Sequence, residues 1–169
     1  MPPLLEARNI RKVYHGGGQL LGGEVSETVA CNDFSLSIDA DNPTFTTIAG
    51  ESGSGKTTIA RMLLGLLEPS SGEVLYQGQD ARDLKKDGQQ RFRQDVQAIF
   101  QDPFEVYNPF YKIDHILTTP IQKFGLAASK TEAYEKIQEA LRTVGLRPEE
   151  TLGRYPHQLS GGQRQRITI

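Results

Sequence analysis

The chain has 169 residues, 37% hydrophobic and 24% charged, with a formal net charge of -2. That supplies enough apolar material for one domain with its own core, and the near-neutral balance excludes a general binder of nucleic acid or of an anionic membrane surface. Cys31 is the single cysteine, so no internal disulfide forms, which fits a reducing compartment.

Residues 1–10 contain Glu6 and Arg8 and no apolar run of signal-peptide length. Residues 4–14 read as a strand leading into the turn Gly16-Gly17-Gly18, and residues 19–28 as a loop with Gly22 and Gly23. Phe34, Leu36 and Ile38 alternate with polar residues, the period of a strand with one buried face. After the turn Asp41-Asn42-Pro43, residues 44–49 form a β-branched and aromatic run, expected to be a strand that ends at Gly50. A helix is expected over 59–67, stopped by Pro69, then short strands at 73–76 and 96–100 with a surface helix between them over 81–94. The longest greasy stretch, 62–67, is too short to cross a bilayer.

Beyond residue 100 helical signals take over. Ser129 and Glu132 have capping-box spacing, Tyr134, Ile137, Leu141 and Val144 follow at helical spacing, and Gly145 sits where a C-cap belongs. The expected architecture is therefore mixed α/β, with a mostly helical subdomain inserted after Phe100.

Gly50-Glu51-Ser52-Gly53-Ser54-Gly55-Lys56-Thr57 matches G-x-x-x-x-G-K-[ST] in full. Glycines let backbone amides turn inward and approach phosphates closely, Lys56 places a point charge on the β- and γ-phosphates, and the Thr57 hydroxyl suits Mg²⁺. The following helix, opening at Thr57 and Thr58, aims its positive end at the same anion. ATP or GTP is the expected ligand, bound across residues 50–58.

Leu159-Ser160-Gly161-Gly162-Gln163 lies about a hundred residues further on. A P-loop followed by LSGGQ at this distance resembles the ATP-binding subunits of ABC transporters. Residues 98–103, Ala-Ile-Phe-Gln-Asp-Pro, resemble that family's Q-loop. Gln101-Asp102-Pro103-Phe104, Tyr107-Asn108-Pro109 and Tyr155-Pro156-His157-Gln158 are similar to the oligopeptide/dipeptide importer group, wording that related nickel and sugar importers share.

The resemblance implies a P-loop NTPase core with an N-terminal antiparallel β part and an inserted helical subdomain. Its expected divisions are 1–100 for the β part and P-loop core, 101–158 for the Q-loop and helical subdomain, and 159–169 for the signature and the start of its helix. It also implies ATP and Mg²⁺ as ligands, with Lys56, Gln101, Ser160, Gly161, Gly162 and Gln163 serving the reaction and Thr57 and Gln101 the metal. Tyr14 falls where the family stacks an aromatic on adenine; core packing is the competing reading. The implied partners are a second ATPase subunit closing head to tail, transmembrane permease subunits and, indirectly, a solute-binding protein, at the cytoplasmic face of the membrane.

The family places an apolar strand ending in Asp-Glu, then a histidine, beyond LSGGQ. Glu149, Glu150 and Asp102 do not substitute for those carboxylates, and His157 reads as structural. The chain is expected to be a truncated cassette, with the C-terminal part of the core missing and little hydrolysis on its own. A soluble, non-transport ABC-type ATPase and a non-catalytic nucleotide-binding remnant are the alternatives.

Overall fold

Leu5–Gly16 (β1) and Ser26–Ile38 (β2) form a long antiparallel pair in a computed structural model that describes residues 2–16, 26–100, 102 and 107–169. Gly17, Gly18, Gly22, Gly23 and Gln101 lie outside the described residues. Ser71–Tyr76 (β3) pairs on the other side of β1, and Gln79–Asp80 (β4) continues the sheet in the order β2-β1-β3-β4, antiparallel throughout. The β3–β4 turn needs left-handed backbone at two consecutive residues, which Gln77 (φ 51) and Gly78 (φ 82) adopt. The β1–β2 register shifts three times; in the last shift Lys12 pairs with Cys31 and Val13 with Val29, so Ala30 is the extra residue of a β-bulge.

Two compact units divide the chain, Met1–Gln97 and Ala98–Ile169. In the first, Lys56–Leu63 (α1) and Lys86–Asp95 (α2) pack on the sheet through Ile59, Met62 and Phe92, which join Leu5, Ala7, Ile10, Cys31, Val74 and Tyr76 in one core. The first helix ends earlier than the sequence suggests. Gly65, at φ 67, turns the chain, and the Leu66 and Leu67 amides donate back to the Arg61 carbonyl, so glycine rather than Pro69 stops it.

Tyr76 meets Phe92 edge-on at 5.4 Å and donates its hydroxyl to the Asp95 carboxylate. Burial, reinforced by that carboxylate, pushes the Tyr76 phenol up to about 12. A phenol harder to ionise in the folded chain stabilises it below its ordinary value of 10, and that contribution is lost as pH climbs through 10 toward about 12. Urea denaturation across this range should show stability falling with pH in the parent chain and falling less steeply in Tyr76→Phe. Equal slopes would contradict this account.

Two expected strands are not strands. Residues 44–49 and 96–100 are extended or irregular and pair with no described strand; Phe45 is fully exposed, and Ile99 and Phe100 are 63% and 44% exposed. β-propensity expresses packing against cross-strand neighbours, and no described strand lies beside these apolar runs to complete a ladder.

The second unit is helical: Ile113–Phe124 (α3), Lys130–Thr143 (α4), Pro148–Thr151 (α5) and Gly161–Ile167 (α6). Ser129 caps α4 by accepting from the Glu132 amide at 3.1 Å, while the Glu132 carboxylate accepts from Ala128 N, one residue before the expected Ser129. Gly145 follows the helix at φ 70. Ile137 and Leu141 are buried with Ile113, Leu146, Leu159 and Ile167, whereas Tyr134, expected on the same face, is half exposed.

Candidate functional site

Residues 50–55 form a tight loop in front of α1. The Ser54 amide donates to the Glu51 carbonyl at 3.2 Å, and the Ile59 amide donates to Gly55 O at 2.9 Å as the helix begins. Gly55 is the N-cap, left-handed at φ 91, with no capping side chain, and the first turn carries no acidic residue. The amides of that turn and the positive end of the helix therefore face outward with no side chain neutralising them. The Lys56 ammonium folds across the loop, donating to the carbonyls of Gly50 at 2.7 Å and Glu51 at 2.6 Å and lying 3.4 Å from Ser54 Oγ. Glu51, Ser52, Gly53 and Thr57 are exposed and Thr58 half-buried.

A lysine ammonium folded onto the loop carbonyls beside a helix start that no side chain caps suits a polyphosphate. The Thr57 hydroxyl is a hard oxygen donor suited to Mg²⁺. Gln101, the other expected metal ligand, lies outside the described residues, and among those described no group of three or more His, Cys, Asp or Glu residues gathers into a metal site.

The bulge in β2 sits against this loop. A Cβ on Gly55 would overlap the carbonyl oxygen of Ala30, so the loop passes β2 at backbone contact. Tyr14 pairs with Thr28, two residues along β2 from Ala30, or about 7 Å of strand. Tyr14 is 44% exposed. Sheet geometry thus brings an open aromatic face close to the phosphate loop, although the two lie some forty residues apart in sequence.

In the second unit the signature opens α6. Ser160 Oγ accepts from the Gln163 amide at 3.2 Å, and Gln163 Oε1 accepts from Ser160 N at 2.8 Å, a complete capping box. Both side chains are therefore engaged with the backbone of their own helix. A Cβ added at Gly161 or Gly162 would meet no atom of the described residues within 4 Å, so packing among them does not require either glycine. Leu159 and Ile167 anchor the two ends of the segment in the core.

A family model described as ABC transporter matches residues 31–169. The chain belongs to the ABC transporter family. It is 40% identical, over its whole length, to the di/tripeptide transport ATP-binding protein DppF of Pseudomonas aeruginosa, of which it covers 51%. It is 36% identical over 98% of its length to the oligopeptide transport ATP-binding protein AppF of Bacillus subtilis, covering 50% of that protein. Among solved structures, the dimeric post-hydrolysis state of the ATP-binding cassette MJ0796 bound to ADP and Pi superposes with a TM-score of 0.76 at 29% identity, over 97% of this chain and 66% of that one. The chain thus spans about half the length of the curated relatives it matches.

Sequence reasoning missed several supports of this ABC cassette. Arg166 donates through its guanidinium to the carbonyls of Val144, Gly145 and Gly162, fastening α6 to the end of α4. Tyr107 donates to Arg164 O at 2.7 Å, a second tie on the same helix. A basic side chain beside the last carbonyls of a helix is the available signal for Arg166. The Ala30 bulge left no signal. His157 stacks on Tyr155 with ring centroids 5.6 Å apart.

Proposed function

We propose that this chain is the nucleotide-binding part of an energy-coupling ATPase subunit of an ABC importer, with peptides as the transported class. The observation that carries the proposal is the Lys56 ammonium folded onto the Gly50 and Glu51 carbonyls beside a helix start that no side chain caps. Gly50, Glu51, Ser52, Gly53, Ser54 and Gly55 wrap the phosphates of ATP, Lys56 neutralises the β- and γ-phosphates, and Thr57 and Gln101 hold Mg²⁺. Thr58 continues the helix beneath, and Tyr14 takes the adenine ring. The peptide assignment is supported by the names of the relatives, which specify di/tripeptide and oligopeptide transport.

The signature serves a second subunit. Gly161 and Gly162 lie bare with no described neighbour that requires it, which suits close approach by a partner's nucleotide phosphate, and the MJ0796 relative is described as a dimer. With Ser160 and Gln163 capping the helix, the backbone amides of the two glycines are the groups left to meet that phosphate. No described helix is long and apolar enough to cross a membrane. On this reading the membrane step falls to permease subunits, with this chain peripheral on the cytoplasmic face and a solute-binding protein acting through them. On this reading the chain alone binds ATP and turns it over negligibly.

The test is calorimetric titration of residues 1–169 with Mg-ATP. The parent chain should bind, and Lys56→Ala should lose about ten- to a hundredfold in affinity, the worth of one charge-assisted contact. An unchanged affinity in Lys56→Ala would remove the phosphate-loop reading. Sustained turnover by the parent chain would remove the claim of inactivity.

A further inference from the structure

Lys12 stands two residues before Tyr14 on the same face of β1, where successive side chains alternate. Its ammonium lies over the Tyr14 ring, 5.6 Å from the centroid, and donates to the Glu68 carbonyl at 2.7 Å. Glu68 belongs to the segment that leaves α1, the phosphate-loop helix. The same segment is stitched to β1 at two further points: the Ser70 amide donates to Arg11 O at 2.7 Å, and Ser70 Oγ accepts from Val13 N at 3.1 Å. Lys12 is half-buried, so its head group is held by a defined acceptor rather than left free in solvent.

We propose that Lys12 is a positioning residue for the adenine ring, covering one face of Tyr14 so that the base stacks on the other. The proposal rests on the reading of Tyr14 as the adenine platform. An exposed tyrosine ring turns freely about its side-chain bonds, and a base that stacks on it must first stop that motion. A cation over one face, tied to the backbone beyond α1, restrains the ring before the nucleotide arrives. It also takes one of the two π-faces, leaving a single stacking geometry. Through Glu68 the ring is referenced to the helix that carries the phosphate loop, so base and phosphates are received by parts of one connected assembly.

The experiment is titration of the 169-residue chain and its variants with two ligands, Mg-ATP and inorganic tripolyphosphate, which has phosphates but no base. Lys12→Ala should weaken ATP about two- to fivefold, the range of an exposed cation–π contact, and leave tripolyphosphate unchanged. Lys12→Gln, which keeps a donor for the Glu68 carbonyl but no charge, should behave like Lys12→Ala. Lys12→Arg, whose guanidinium also sits on aromatic faces, should restore parent affinity. In a Tyr14→Ala background, Lys12→Ala should have no further effect. Parallel losses of ATP and tripolyphosphate would overturn the proposal, because Lys12 would then serve the phosphates. Parent behaviour of Lys12→Gln would overturn it too, since the tie to Glu68 would suffice. Two results would instead strike the underlying reading: a parent chain that binds neither ligand removes the phosphate loop, and Tyr14→Ala with parent ATP affinity removes the platform.

Discussion

Gly55→Ala should reduce ATP affinity by about a hundredfold or more, the largest loss expected from any single methyl group in this chain. Two separate costs fall on that residue. Its φ of 91 lies in the left-handed region, where an L side chain costs about 1–2 kcal/mol. Its Cβ would also overlap the carbonyl oxygen of Ala30, which is backbone and has no rotamer to escape into. The loop must then move off β2, and with it the amides of the first turn of α1 and the Lys56 ammonium. Gly53→Ala is the control. At φ 84 it pays the conformational cost, but its Cβ meets no atom of the described residues within 4 Å. It should therefore lose only about five- to thirtyfold. Titration of both variants with Mg-ATP decides the matter, and equal losses would show that backbone conformation alone, without the contact to β2, shapes the loop.

That contact marks where sequence reading gave out. The phosphate loop was legible because its chemistry demands particular residue types at fixed spacing, and the Ser129 cap was legible because a cap is satisfied within four residues of chain. Ala30 carried no such signal: its role comes from a one-residue slip between β1 and β2, and register is a property of the pair. Residues 44–49 and 96–100 failed for the related reason that a strand is defined by its neighbour, and composition alone predicted ladders that no described segment completes. The α3 helix was obscured in another way. Pro120 lies inside it, where the missing amide and the ring argue against helix, yet Thr118 and Thr119 hydroxyls bond back to the carbonyls of Asp114 and His115 and Ile113 is fully buried. Tertiary burial outweighed the local penalty.

The same reasoning sets the effect expected from Leu141→Ala. Leu141 is 1% exposed in a cluster with Ile113, Ile137, Leu146, Leu159 and Ile167, so truncation leaves a cavity lined by side chains from three helices and from the signature segment. Such substitutions cost about 2–5 kcal/mol, which is a large share of the roughly 5–15 kcal/mol that holds a whole domain folded. The loss should be local. The buried core of the first unit is drawn from residues 5–92 and that of the second from residues 113–167, with no residue shared. Native-state hydrogen exchange on Leu141→Ala should accordingly show amides of α4 and α6 losing protection while those of β1 and β3 keep theirs. The functional reading then adds a consequence. Leu159 and Ile167 hold the signature helix by its ends, and Arg166 ties it to the end of α4, so a loosened α4 releases the glycines meant for a partner's phosphate while leaving the phosphate loop intact. Mg-ATP affinity of the variant should match the parent. If protection in β1 and β3 falls together with that in α4, the two cores unfold as one cooperative unit, and ATP affinity should drop in proportion.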